Sequence, residues 1–578
     1  QLKLADAWSE KILDPWNDRW IPDTTYPGLK PYPFDETIGV VSVFQTNQPA
    51  YDWQVTNFTP SALNETQSDL IIYELLLRDF DEAQNILAAT EKLDYLKTLG
   101  VNAVQLMPVI EFDGNESWGY APNFFFATDK YYGTKAAYKA FVDAAHTKDM
   151  AVILDIVPNH AFGQNPMVQM YFNPEAGDYG QPTPQNPWFN PQSPHPFSVG
   201  YDFNHESTAT REFFKDVFAH WLTEFKVDGF RLDLSKGLTQ TWSGDDVSAW
   251  SNYDQSRIDI LTDYYNHIKS VNPNAYVILE HLANNDEETV LANTGMLLWS
   301  GMHNTYKQLA MGWNDASDFS WAYHGQRGWN YPNLIDYMEN HDEERMMSEA
   351  LQYGNSNGEY DLKDTLTAIR HQEQALVLFL SVPGPKMLWQ FQEVGYDYSI
   401  FYGDDRLAPK PPRWDYLYEP AREQLNRVAS GMAALRKSDA FRMGTFSKNL
   451  QGDGKRIWLT HSSMDVVVAA NMGVSSFEMS PQFTKTGSWY NYFTGEELVV
   501  NEVNMNLSFG PGDYYVFTSE PMPKPFYEVS ISVLDKETGL PLEEVTISYN
   551  NAVVRQTNAQ GEAGFLAMNE AYTIKAEK

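Results

Sequence analysis

The sequence predicts an α/β fold: a closed (β/α)8 TIM barrel with an inserted loop domain after its third strand, followed by antiparallel β-sandwich domains. Three observations carry this. From residue 70 to about 390, eight short apolar runs alternate with amphipathic helical stretches, the rhythm of βα units rather than of a sandwich. Asp155, Asp233, Glu280 and Asp342 each stand at or just past the end of such a run, and the intervals between them leave room for a helix and a return loop. That is where a parallel barrel carries its chemistry. After about Lys437 the texture changes to short alternating runs separated by Gly, Ser and Asn, the pattern of antiparallel strands.

The eight runs are LIIYELLL from Leu70, AVQLMPV from Ala103, AVILDIV from Ala151, DGFRLDL from Asp228, AYVILEH from Ala275, MLLWS from Met296, NLIDYME from Asn333 and PKMLWQ from Pro385. Between them, ILAATEKLDYLKTLG closes on Gly100 as a C-cap, and TATREFFKDVFAHWLTEF is expected to start from Thr208 or Thr210 as N-cap. The barrel is expected over 66–437. Residues 161–207 are rich in Pro, Asn, Gly and aromatics, with little helical period, and read as an excursion that walls a cleft. A β-sandwich over 438–522 contains RIWLTH, MDVVVAAN and DYYVFTS. The Pro-rich joint PMPKPF then leads to a smaller β-sandwich over 523–578 that reads as cut short.

Composition narrows the function. With 578 residues, 43% apolar and 20% charged, the chain can bury several cores. Its 41 basic and 77 acidic residues leave a formal charge of −36, which repels nucleic acid and anionic membranes and suits a neutral partner. The absence of cysteine excludes thiolate catalysis, disulfides and cysteine-ligated metals. No apolar run reaches the roughly 18–20 residues of a membrane span, so no membrane insertion is expected. The start, QLKLADAW, has neither an initiator Met nor a signal-peptide pattern and reads as following something removed.

DIVPNH (Asp155 to His160), GFRLDLSK (Gly229 to Lys236), the strand-end Glu280 and ENHDEER with His341 and Asp342 occur in that order, supported by IYELLLRDF and WGYAPNFFFATDKYYGT. Together they resemble the motif set of the alpha-amylase family of glycosidases, glycoside hydrolase family 13, over about residues 65 to 520. Residues 1–65, with KILDPWNDRWIP and VVSVFQTNQPAYDW, resemble the closing strands and linker of an N-terminal glucan-binding family 48 β-module.

Acetal cleavage needs an acid for the leaving oxygen and a carboxylate to meet the oxocarbenium-like carbon. The resemblance implies Asp233 as nucleophile, Glu280 as acid and then base, and Asp342 as the third carboxylate holding the distorted sugar. Arg231, two residues before Asp233 and so on the same strand face, is expected to depress its pKa. Glu280 is expected to stay protonated. The resemblance further implies sugar contacts for His160, His341 and Tyr120, with Lys236 and Trp118 at neighbouring subsites, and structural support from Asp155 and Arg345. Asn159 and Asp202 could supply oxygens to a structural calcium between barrel and insert, although a hydrogen-bonded loop is equally compatible. The chemistry itself requires no cofactor.

A lone strand-end acid is more often a loop cap or ion-pair partner than a catalyst, and most of the 17 Trp, 34 Tyr and 32 Phe must be packing. The ordered set is what favours an enzyme. The first expectation is a retaining endo-hydrolase of α-1,4-glucans such as starch, glycogen or maltodextrins, monomeric and secreted, at the cell surface or periplasmic in a bacterium. An α-1,6 debranching enzyme, a branching transferase and a non-catalytic glucan-binding protein stay open. GYDFNHES looks more like the hydrolase form than the branching form. WQFQEVGYDYSI resembles alpha-amylase-like bacterial proteins, with Gln392 where a small residue is commoner.

Overall fold

The computed structural model describes residues 5–60, 70–549, 553–568 and 573–578; the expected junction at 65–66 lies outside them. All eight apolar runs become strands of one parallel sheet: β1 (Ile71–Leu75), β2 (Ala103–Leu106), β3 (Ala151–Ile156), β4 (Gly229–Leu232), β5 (Tyr276–Leu279), β6 (Leu297–Trp299), β7 (Leu334–Ile335) and β8 (Lys386–Trp389). Strands β1 to β7 neighbour in chain order, and β8 pairs with β1. A parallel bridge between Asp336 and Lys386 joins β8 to the end of β7 and closes the barrel. The Lys386 ammonium donates to Asp336 Oδ2 at 2.8 Å, and the Tyr306 hydroxyl donates to the same oxygen at 2.6 Å. Every barrel-strand residue is buried, which is why these runs read as continuous apolar stretches rather than alternating ones.

The helices lie outside. Thr208–Glu224 buries Phe213, Phe214, Val217, Phe218 and Trp221 along one stripe at helical spacing. Its N-cap is Ser207, not Thr208 or Thr210: Thr208 has already entered the helix, and the Thr210 hydroxyl instead donates to Trp188 O at 3.0 Å, tying the helix to the insert. Gly100 does cap its helix, at φ 94°, where a Cβ would also come within 2.5 Å of Ala433 Cβ.

The insert leaves β3 through the antiparallel pair His160–Ala161 with Tyr201–Asp202 and contains the short helix Pro166–Met170. Beyond the barrel, a six-stranded antiparallel sheet is built from Thr445–Asn449, Gly454–Thr460, Val466–Asn471, Tyr514–Thr518, Gly487–Asn491 and Glu497–Val500. The last segment forms two small antiparallel sheets. They dock on the barrel helix Pro420–Leu435, where Arg427 Nε donates to Leu566 O at 2.8 Å and Arg555 Nη2 pairs with Glu423 at 3.0 Å.

At the other end, residues 5–60 contain one two-residue strand pair, Ile12–Leu13 with Val41–Ser42, and lie along the barrel's outer surface. Trp8 packs edge-on to Phe213, and Phe58 stacks on His146. Among the described residues, no helix is long and apolar enough to cross a membrane.

Candidate active site

The C-terminal ends of β3, β4 and β5 converge on one buried guanidinium. Arg231 sits inside β4, fully buried, with Trp299 of β6 4.3 Å from its centre. Its Nη1 donates to both Asp155 oxygens, at 2.8 and 2.9 Å, and to Asp233 Oδ1 at 2.8 Å. Its Nη2 forms an ion pair with Glu280 Oε2 at 2.9 Å. Asp155 is sealed from solvent, whereas the carboxyls of Asp233 and Glu280 keep 13% and 17% of their surface, so these two face the barrel mouth.

The backbone beyond β4 completes the cradle. Leu234 adopts a left-handed conformation (φ 45°, ψ 40°), a strained choice for a residue with a Cβ. Its N–H donates to Glu280 Oε2 at 2.8 Å, and the next residue, Ser235, bonds to Glu280 O through its N–H and its hydroxyl. The strain falls where the chain must turn an amide toward the neighbouring strand's carboxylate.

Charge in this cluster is lopsided. Burial pushes Asp233 well above the ordinary carboxylate range; Arg231 pulls it down, while Glu280, Asp155 and Asp342 push it up. The expected depression by Arg231 therefore does not prevail, because burial outweighs it and the neighbouring carboxylates add to the upward push. Asp155 is raised by burial to about 6, with Arg231 and His341 opposing. A site with more carboxylates than cations favours retention of a proton.

The opposite side of the mouth is built from β1, β2, β7 and β8. His341 Nδ1 lies 2.8 Å from Glu74 Oε1 of β1, and its Nε2 is 3.5 Å from Asp342 Oδ2. Burial disfavours its charge, but Asp342 and Glu74 outweigh burial and raise it to about 9, so it is a cation at neutral pH. Asp342 is open to solvent and pairs with Arg406 from the loop after β8. Tyr120 donates to Asp155 Oδ2 at 2.7 Å and stacks on His341 with ring centres 5.1 Å apart. Trp118 stands edge-on to His341 at 5.6 Å. Arg345 Nη1 donates to Glu339 Oε1 at 2.8 Å and Gln390 O at 2.9 Å, bracing the β7 and β8 loops.

Two proposed sugar contacts are already engaged by protein. His160 Nε2 lies 2.9 Å from Tyr120 O and its Nδ1 3.1 Å from Asn159 Oδ1; burial lowers it to about 4, and the neutral ring donates to one of these two oxygens. Lys236 donates to Leu282 O at 2.9 Å and Ser251 Oγ at 3.2 Å, and lies over Trp250; burial lowers it to about 8. Its place between the β4 and β5 loops sets it on the Glu280 side of the mouth.

Asn159 and Asp202 do come together, but around an imidazole. His195 Nε2 is 3.0 Å from Asn159 Nδ2 and 3.1 Å from Asp202 Oδ1, while His195 Nδ1 bonds to Pro196 O at 2.8 Å. Calcium needs six to eight oxygen ligands, and a buried ring nitrogen fills the gap between these two residues. The donor set does not fit calcium; it fits a hydrogen-bonded junction of barrel and insert. Among the described residues, no group of three or more His, Asp or Glu side chains could hold a metal.

Sequence reasoning missed Glu74, Arg406 and His195. A carboxylate inside the apolar run IIYELLL is a signal that a buried partner awaits it. Arg406 lies in a Pro-, Asp- and Gly-containing loop and His195 in the irregular insert, without periodicity to mark either.

A model of the alpha-amylase catalytic domain matches residues 85–445. Among curated relatives, a malto-oligosyltrehalose trehalohydrolase of Saccharolobus solfataricus is 32% identical over 197 residues, covering 34% of this chain and 32% of that protein. The chloroplastic isoamylase SU1 of Zea mays is 33% identical over 219 residues, covering 33% and 27%. The chain thus spans about a third or less of the length of these relatives. Among solved structures, an alpha-amylase from Geobacillus thermoleovorans complexed with acarbose superposes with TM-score 0.61 at 18% identity, over 79% of this chain and 99% of that one. GBS pullulanase SAP in complex with maltotetraose gives 0.66 at 18%, over 90% and 77%. At that identity, the likeness concerns the fold.

Proposed function

Because the chain belongs to the alpha-amylase family, we propose that it is a retaining hydrolase of α-glucans that cleaves α-1,4 bonds of starch, glycogen or maltodextrins. The observation that carries the reading is the sharing of Arg231 by Asp233 and Glu280. Two solvent-facing carboxyls held on the two nitrogens of one guanidinium are neighbours, as double displacement requires; inverting enzymes set theirs about 6.5–9.5 Å apart to admit a water.

Asp233 attacks the anomeric carbon as the bond to the leaving oxygen breaks, and Glu280 gives that oxygen its proton. Asp233 must be ionised to attack, and Arg231 is the neighbour that favours its charge against burial and the surrounding carboxylates. Glu280 then takes a proton from water, which displaces Asp233 from the sugar, and the configuration is retained. Asp342 accepts from hydroxyls of the reacting sugar, and His341, held cationic by Glu74 and Asp342, donates to them. Tyr120 offers ring surface to the same sugar, with Trp118 beyond it. The leaving portion lies next to its acid, on the Lys236 side, and the portion carried by Asp233 extends toward Asp342 and Trp118.

Residues 1–65 fit the role of a linker from a glucan-binding module, and an extracellular setting as a monomer suits a polymeric substrate. The isoamylase match supports a second reading, α-1,6 debranching. A pullulan digest followed by product chromatography separates the two. Products of α-1,4 cleavage are expected, panose from internal attack or maltose and glucose from chain ends; maltotriose alone would establish α-1,6 cleavage, and an intact polymer with intact starch would end the hydrolase reading.

A further inference from the structure

Arg406 has no place in the mechanism above, yet its surroundings are constructed. Its Nη2 donates to Asp342 Oδ1 and, at 2.8 Å, to Asp342 O, so it grips both the side chain and the backbone of the third carboxylate. Its guanidinium centre lies 5.5 Å from the Trp118 ring, within cation–π range. The loop that carries it is fastened on both sides. Buried Arg78 Nη1 donates to Leu407 O at 2.7 Å and its Nη2 to Ala408 O at 3.2 Å. Lys410 Nζ donates to Arg406 O at 2.6 Å and Ala408 O at 2.8 Å. Before the arginine, Glu344 receives the Ser399 hydroxyl at 2.6 Å and the Ile400 amide at 2.9 Å. An ordinary surface ion pair contributes little and is free to wander; this one sits on a backbone held by two buried or half-buried cations and a carboxylate.

Its position relative to the reacting bond follows from strand order. Glu280 and Lys236 belong to the β4 and β5 loops, whereas Asp342, Trp118 and Arg406 come from the loops after β7, β2 and β8, across the mouth. A glucan seated with its leaving portion beside Glu280 must run its other portion, toward the non-reducing end, past Asp342 and Trp118. Arg406, bonded to Asp342 and 5.5 Å from the Trp118 ring, spans the gap between those two residues.

We propose that Arg406 is a specificity-determining residue that ends the donor side of the cleft, so that the enzyme releases units of one or two glucoses from the non-reducing ends of α-glucans. The inference rests on the hydrolase reading and departs from the endo-acting expectation of the sequence. The guanidinium is also placed to donate to the terminal sugar's hydroxyls when they compete for Asp342, giving a chain end something that a chain interior cannot use.

The test is a bond-cleavage map on maltoheptaose labelled at its reducing end. The native protein is expected to give labelled chains shortened by one or two units at early times. Arg406→Ala should give much shorter labelled chains from the start, with KM for long maltodextrins falling about tenfold relative to maltotriose. Arg406→Lys, which keeps the charge without the planar fork, should fall between them. Melting curves of both variants, run alongside, identify any that fail to fold, and Arg406→Gln then replaces it in the same assay. A native enzyme that attacks mid-chain from the first time point, or a folded Arg406→Ala protein with an unchanged map and KM, overturns the proposal while leaving the hydrolase reading intact. A native protein that releases nothing from any α-glucan overturns both.

Discussion

On the β4–β5 side of the barrel mouth, one buried guanidinium serves Asp155, Asp233 and Glu280. On the β7–β8 side, Asp342 has an arginine of its own, and the two side chains are 41% and 43% exposed. Both arrangements pair acids with bases at hydrogen-bond distance, yet they differ in what solvent and substrate can do to them. The inner cluster sets three largely buried carboxylates on a single cation, and burial raises Asp155 and Asp233 so that they hold protons more tightly than free carboxyls do. The outer pair is one-to-one and wet, and sugar hydroxyls can exchange for either partner. A glycosidic mechanism needs both kinds of site, a fixed store of protons where bonds break and replaceable contacts where the sugar is gripped.

The contrast can be broken most severely from inside. Asp233→Asn and Glu280→Gln should each lower turnover by several orders of magnitude while leaving glucan binding measurable by calorimetry, because bond cleavage and binding draw on different interactions. Near-native turnover in either variant would mean that the inner cluster is not the reacting one. Next in size is Arg231→Ala. It strands three carboxylates around a hole, and a loss of about 3–5 kcal/mol is expected in denaturant unfolding at neutral pH, partly recovered in acid as the carboxylates protonate.

A smaller effect concerns the junction beside the cluster. His195→Ala removes the ring that joins Asn159 to Asp202 and should cost about 1–3 kcal/mol. Chelation by EDTA should leave the native melting temperature unmoved, and a drop reversed by added calcium would contradict the imidazole-filled reading of this junction. The gentlest prediction concerns His341. Its folded-state pKa of about 9 lies above the unfolded value near 6.5. The stability it contributes is therefore complete below about pH 6.5 and is lost as pH rises through about 9. In His341→Gln, the decline of melting temperature across that window should flatten, whereas a slope equal to the native one would remove His341 from the account.

Much of this was legible beforehand, and the parts that were not share a cause. The eight barrel strands coincide with the eight apolar runs because a strand buried on both faces leaves a continuous hydrophobic signature. Even the two-residue β7 was found, through Leu334 and Ile335 inside NLIDYME. The carboxylates at strand ends were found through the order of their motifs. What escaped were partners that depend on three-dimensional return: Glu74 meets His341 across 267 positions, and Arg406 meets Asp342 across 64. The direction of Asp233's shift was misjudged for the same reason. One neighbour on the same strand is visible in sequence, but the burial of Asp233 and the nearness of Glu280 and Asp155 are not. The Ser207 cap was missed by a single position because the Thr-rich start offered three similar candidates.

The Asp336–Lys386 seam has a consequence for synthesis. Strand β8 is the sheet neighbour of β1 on the side away from β2, and it also bridges to β7, so a nascent chain that ends before Lys386 holds seven strands with two unsatisfied edges. Until the ribosome delivers Lys386, those edges are open to other chains, and a chain truncated before that lysine should accumulate as aggregate rather than as a smaller soluble barrel.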